Sequence, residues 1–147
     1  MMAHAENSIL INRPVSEVYD FILDGTKNAL WRPGVADVQA VPGKPNGIGA
    51  VFKQGVKGPG GRRIDADYEI VEAKPNALIR FQVIAGPARP TGVYEFSPEG
   101  NGTRVKFTLD YQGKGVMAWL MDGMINRTMQ GEVATLSNLK SYLENPH

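Results

Sequence analysis

The sequence predicts an α+β fold in which an antiparallel sheet of seven strands is crossed by one long C-terminal helix, with two short helices after the first strand. Three observations point to it. Between residues 7 and 111, runs rich in Val, Ile, Phe and Tyr alternate with Gly, Pro and Asn clusters, the pattern of strands and turns. From Lys114 to Leu143 the period changes: Met117, Met121, Met124, Ile125, Thr128, Leu136, Leu139 and Leu143 recur at steps of three, four or their sums, as on one face of a helix. After the first strand, Pro14 introduces Val15, Val18, Tyr19 and Ile22, a short amphipathic helix ending near Leu23 before Gly25.

Taken in order, Asn7 to Asn12 forms the first strand and stops at Pro14. Thr26 to Leu30 supplies a second short helical turn. Trp31 to Val35, WRPGV, is extended, because a residue before Pro avoids the α region. Six further strands follow at Val35–Val41, Ala50–Val56, Ile64–Glu72, Ala77–Ile84, Gly92–Phe96 and Thr103–Tyr111.

Charge pairs suggest registers for two hairpins. Glu69 opposite Arg80 turns Tyr68, Ile70, Ile79, Phe81 and Val83 to one face; Glu95 opposite Arg104 does the same for Tyr94, Phe96, Val105, Phe107, Leu109 and Tyr111. The final helix, about 40 Å long at 1.5 Å per residue, needs a broad apolar surface, and these faces provide it. Gly123 and Gly131 weaken that helix and suggest a close neighbour or a slight bend.

A chain of 147 residues fits one domain, 1–147, with length enough for a core and an internal cavity. The formal net charge is +1 and the charges are mixed in sign, so no basic footprint for nucleic acid is present. The longest apolar run, Val116 to Met121, is far short of a membrane span. No secretory signal is visible at the N-terminus, and the default expectation is a soluble cytoplasmic protein. With no cysteine, and histidine only at His4 and His147, thiolate chemistry, a His-ligated metal and a Ser/His/Asp triad in the body of the domain are set aside. The chain also lacks the phosphate-loop, dinucleotide, zinc-helix and nucleophile-elbow patterns. No cofactor and no metal are expected. Asp65, Asp67 and Glu69 share one face of a strand, but alternating acids with Arg80 across the pair describe a solvent face.

The segment ILINRPVSEVYDFILD, the WRPGV turn and the closing TLSNLKSYLE resemble the polyketide cyclase/dehydrase and lipid transport group of the START-like (SRPBCC) superfamily. The resemblance extends over essentially the whole chain and rests on structural motifs. It implies a helix-grip fold, in which the curved sheet wraps the C-terminal helix around a cavity for an apolar ligand. It supplies no universal catalytic motif.

On that resemblance, the expected cavity is bounded by Tyr68, Phe81, Tyr94, Phe107, Tyr111, Met117, Met121 and Ile125, with Thr128 and Glu132 beside them. Methionines suit a core or a permissive pocket equally. Trp31 is read as a packing anchor, and Arg32 and Arg63 as solvated arginines. Glu132 falls on the apolar stripe, where a carboxylate needs a tyrosine or arginine partner, a wet cavity wall or displacement to the surface. The expected partner is a hydrophobic small molecule, a lipid or a polyketide-like aromatic. The alternatives are an enzyme of cyclase/dehydratase type, with Glu132 or a tyrosine as candidate proton carrier, and a protein-binding module without a cavity. Oligomeric state is not legible in the sequence.

Overall fold

A computed structural model describes residues 2–113 and 115–145, and among these the side chains at 2, 59 and 115–122 lie outside the description. The strands are β1 (Met2–Ile11), β2 (Val35–Ala40), β3 (Val51–Lys57), β4 (Arg63–Asp65), β5 (Tyr68–Lys74), β6 (Leu78–Val83), β7 (Thr91–Glu99) and β8 (Gly102–Gln112). The helices are α1 (Val15–Leu23), α2 (Gly115–Ala134) and α3 (Leu136–Glu144), with 3-10 turns at Gly25–Leu30 and Pro59–Gly61. Seven strands form one antiparallel path, β1-β8-β7-β6-β5-β3-β2, and the short β4 pairs with β3 off that path. The sheet curls into a half-barrel closed by the C-terminal helices.

The expected strand Ile64–Glu72 is thus two, β4 and β5, yet both keep one register on β3, with Gly55 opposite Asp65 and Phe52 opposite Tyr68. At the bend between them, Ala66 N–H donates to Gln54 O and the Asp67 carboxylate accepts from Gln54 N–H. The bend replaces ladder bonds without leaving polar groups bare.

Both hairpins turn the expected residues inward but in other registers. A bulge between Ile70 and Glu72 places Glu72 opposite Arg80 and Glu69 opposite Gln82; bulges sharpen twist and help a sheet curl. In the next hairpin Glu95 faces Lys106, while Arg104 grips Glu99 through Nε at 2.9 Å. Charge pairing misplaced the registers because both arginines reach acids two or more residues from the expected one. Alternation, which has period two, kept the faces correct.

Instead of one helix to Leu143, the chain breaks at Thr135, whose N–H and hydroxyl both bond Glu132 O. A Thr side chain competing for a helix carbonyl interrupts the ladder there. The buried stripe runs Ile125, Met129, Val133, Leu136, Leu139, whereas Met124 and Thr128 are exposed. Among the described residues neither Gly123 nor Gly131 has a neighbour within 4 Å of a built Cβ, so of the two reasons expected for these glycines, a close neighbour or a slight bend, no close neighbour is seen. Side-chain to backbone bonds tie α2 and α3 to β1: Asn7 Nδ2 donates to Val133 O (3.1 Å), Lys140 Nζ to Leu10 O (2.9 Å), and just beyond β1 Arg13 Nε to Leu143 O (2.8 Å). Among the described residues no helix is long and apolar enough to cross a membrane.

Candidate functional site

The segment after α1 brings two polar side chains, Asn28 and Arg32, to the inside. Asp24 caps its turn, accepting from Thr26 N–H at 3.1 Å and from the Thr26 hydroxyl at 2.6 Å. From this turn Asn28 and Trp31 enter the core, and Arg32 follows them. Asn28 Nδ2 donates to Gln54 Oε1 of β3 (2.9 Å) and to Tyr68 Oη of β5 (2.8 Å). Arg32, only 7% exposed, grips Glu132 of α2 through Nε and Nη2, each 2.9 Å from Oε2. The floor is tied on one side and the helix on the other.

Two glycines make these contacts possible. A Cβ on Gly25 would lie 2.0 Å from Tyr68 Oη and 3.0 Å from the Phe52 ring, and one on Gly34 would lie 2.9 Å from Glu132 Oε1. Trp31 is an anchor in the core, packed edge-on to Tyr94 with ring centroids 6.4 Å apart, but its Nε1 has no hydrogen-bond partner among the described residues.

Below the turn the sheet presents stacked rings. Phe52 lies over Tyr68 (5.1 Å between centroids), Tyr94 over Phe107 (4.3 Å), and Phe81 touches all but Phe52. Where the rings meet the turn, Ile22, Asn28, Arg32, Tyr68, Ile70, Ile79, Phe81 and Tyr94 enclose a cavity of about 10 Å³, room for about one water molecule.

Burial sets the protonation of this site. It pushes the Tyr68 phenol up to about 12, against the opposing pull of the Asn28 hydrogen bond and the Arg32 charge. Burial raises Tyr94 further, again opposed by Arg32. For Arg32, burial favours loss of the proton, but Glu132 together with Tyr94 and Tyr68 outweighs it and holds the guanidinium above its ordinary value. The site therefore combines a fixed charge pair with two neutral phenols, which are hydrogen-bond donors and poor bases near neutral pH.

Of the residues expected around a cavity, Tyr68, Phe81 and Tyr94 line it, Phe107 stacks behind Tyr94, Ile125 is buried on the helix side and Glu132 stands at the Arg32 edge. Tyr111 is half-buried near the end of β8 and does not line this space. Thr128 does not line this space: its side chain is exposed, its hydroxyl donates to Met124 O, and with Met124 and Arg127 it lines a separate open concavity of about 330 Å³, while the buried stripe passes through Met129. Met117 and Met121 lie outside the described side chains. Arg32 overturns the expectation of a solvated arginine. Asn28 and Gln54 were missed altogether; the available signal was Glu132 itself, an acid on an apolar stripe in need of a partner.

Outside the site, the acids of β4 and β5 do not converge. Exposed Arg63 holds Asp65 (2.6 Å) and Asp37 (2.8 Å), and Asp67 is taken by Gln54 N–H. Among the described residues no group of three His, Cys, Asp or Glu is placed to hold a metal ion.

A family model described as polyketide cyclase/dehydrase and lipid transport matches residues 2–144. No curated protein sequence matches the chain. The fold is shared with the Zhui aromatase/cyclase from Streptomyces sp. R1128, at 16% identity and TM-score 0.80 over 98% of this chain and 94% of that one. It is shared too with TTHA0849 from Thermus thermophilus, at 23% identity and TM-score 0.78 over 94% of each chain. A START superfamily protein from Mycobacterium smegmatis superposes with TM-score 0.74 at 13% identity, over 95% of this chain and 98% of that one.

Proposed function

The chain belongs to the polyketide cyclase/dehydrase and lipid transport family, and from that premise we propose that it encloses a mostly apolar small molecule, a lipid or polyketide-like aromatic, between the inner face of the sheet and α2. The observation that carries this reading is the placement of a buried polar cluster, Asn28, Arg32, Tyr68, Tyr94 and Glu132, within an otherwise aromatic and aliphatic interior. A core built for stability alone gains little from a buried ion pair, which hydrophobic residues of the same volume replace at no loss. A few convergent polar groups in an apolar concavity are the form of a ligand site.

The enclosed space among these described residues is far smaller than a lipid, so a ligand whose end lies here brings its body in by parting the packed rings and the turn from α2. Native mass spectrometry of protein purified from its own host tests the reading. A lipophilic mass retained at one per chain is the expected result. Absence of any such mass, together with no binding of an apolar fluorescent probe to the folded protein, refutes it.

The second reading is a cyclase/dehydratase-type enzyme, supported by the presence of an ionisable pair at the cavity edge and by a fold shared with an aromatase/cyclase. The tyrosines are poor bases in this setting, so proton removal falls to Glu132 once Arg32 releases it. Turnover of the retained compound per folded molecule, lost in Glu132→Gln while that folded fraction still retains the compound, distinguishes enzyme from carrier.

A further inference from the structure

Resting on the enclosed-ligand reading, we propose that the buried end of the ligand is a neutral carbonyl oxygen, as in a ketone, ester or quinone, facing the hydroxyls of Tyr68 and Tyr94, which are the residues that select it.

Hydrogen-bond accounting leads there. Both phenols line the small cavity below the turn. Tyr68 Oη already accepts a hydrogen from Asn28 Nδ2, whose other hydrogen goes to Gln54 Oε1. Tyr94 shares the cavity lining with Arg32, whose positive charge acts on the phenol oxygen. The Tyr68 oxygen is thus supplied from behind, the Tyr94 oxygen faces the Arg32 charge, and neither phenol hydrogen has an acceptor among the described residues. A third donor is in surplus nearby, since Trp31 Nε1 is buried without an acceptor among the described residues, its ring against Tyr94.

What fits such a place is an atom that accepts twice and donates nothing. A carbonyl oxygen does so. Water or an alcohol brings hydrogens to a spot already rich in them, and an ammonium brings both hydrogens and a charge like that of Arg32. A carboxylate finds the positive charge already balanced, because Arg32 spends Nε and Nη2 on Glu132, and a second buried anion without a counter-charge is costly. Burial keeps both phenols protonated across the physiological range, so the donors do not fail with pH.

The test is a matched naphthalene series binding to the full chain by calorimetry at pH 7.5: 2-acetylnaphthalene, its hydrocarbon counterpart 2-isopropylnaphthalene, and 2-naphthoate. Two hydrogen bonds gained by the ketone alone predict binding about tenfold tighter than the hydrocarbon, with the carboxylate no tighter than the ketone. In Tyr68→Phe/Tyr94→Phe the ketone advantage collapses while hydrocarbon binding persists. A second measurement needs no variant: the infrared carbonyl stretch of bound 2-acetylnaphthalene lies below its frequency in an apolar solvent. Equal binding of ketone and hydrocarbon, or an unshifted carbonyl, overturns this proposal and leaves the enclosed-ligand reading standing. Tightest binding by 2-naphthoate overturns it in favour of an acid that displaces Glu132 from Arg32. Binding by none of the three overturns the enclosed-ligand reading itself.

Discussion

Replacing Glu132 by Gln separates a charge tie between α2 and the Asn28–Arg32 turn from a contact made only by packing. The carboxylate oxygen lies 2.9 Å from both Nε and Nη2 of Arg32, and the side chains are 17% and 9% exposed. At an effective dielectric of 20, unit charges about 3 Å apart attract by about 5 to 6 kcal/mol, most of it offset by the desolvation of both ions. Removing one partner takes the attraction away and leaves the cost of burying the other, so Glu132→Gln is expected to lose about 2 to 4 kcal/mol. For a chain near 150 residues that lowers Tm by roughly 4 to 16 °C. Urea titration followed by circular dichroism should show a lower midpoint at unchanged slope. The double variant Arg32→Met/Glu132→Leu should recover most of the loss, since neither charge is then buried alone. An unchanged midpoint in Glu132→Gln, or a double variant weaker than either single one, refutes the tie.

Two other outcomes follow from the same region. Gly25→Ala drives a methyl group to 2.0 Å from Tyr68 Oη, which displaces the ring and its Asn28 bond at a cost of about 1 to 3 kcal/mol; a thermal melt unchanged within error contradicts this packing. Tyr68 has a folded pKa raised to about 12 from an ordinary 10.0, so its contribution is intact below pH 10, where both states hold the proton, and is lost from there toward pH 12 as only the unfolded chain ionises. That loss is about 2.7 kcal/mol for two units, and Tyr68→Phe should flatten the fall in urea midpoint between pH 9.5 and 11.5, leaving the part due to Tyr94; an equally steep fall in the variant refutes the assignment.

The parts of the fold legible from residues alone were those set by period. Alternation turned Tyr68, Ile70, Phe81, Tyr94, Phe96 and Phe107 to the inside whatever the register, because a slip of two residues preserves the face. Register itself depends on where arginine side chains reach, and the Ile70–Glu72 bulge has no signature in composition. The helix stripe was read correctly through Ile125, Leu136 and Leu139 but also through Met124 and Thr128, which are exposed, with Met129 buried in place of Thr128, since methionine and threonine fit either side of the boundary. At the site, Glu132 was conspicuous and its candidate partners were stated, but Arg32 lay a hundred positions away in a turn. Only the curl of the sheet brings that turn to the helix.

The pairing of β1 with β8 also bears on how the chain reaches this structure. Ala3 lies opposite Tyr111 and Ile11 opposite Thr103, partners about a hundred residues apart, and Lys140 and Arg13 add bonds of still greater span. Closing such a loop costs entropy before any contact offsets it. During synthesis β1 therefore waits, with an unpaired apolar edge, while the meander β5 to β8 assembles from neighbours in sequence. Contacts of this separation place folding among the slower small domains, in the range of about milliseconds to seconds. The strand made first joins the sheet last, and the cell has to keep it from other edges in the interval.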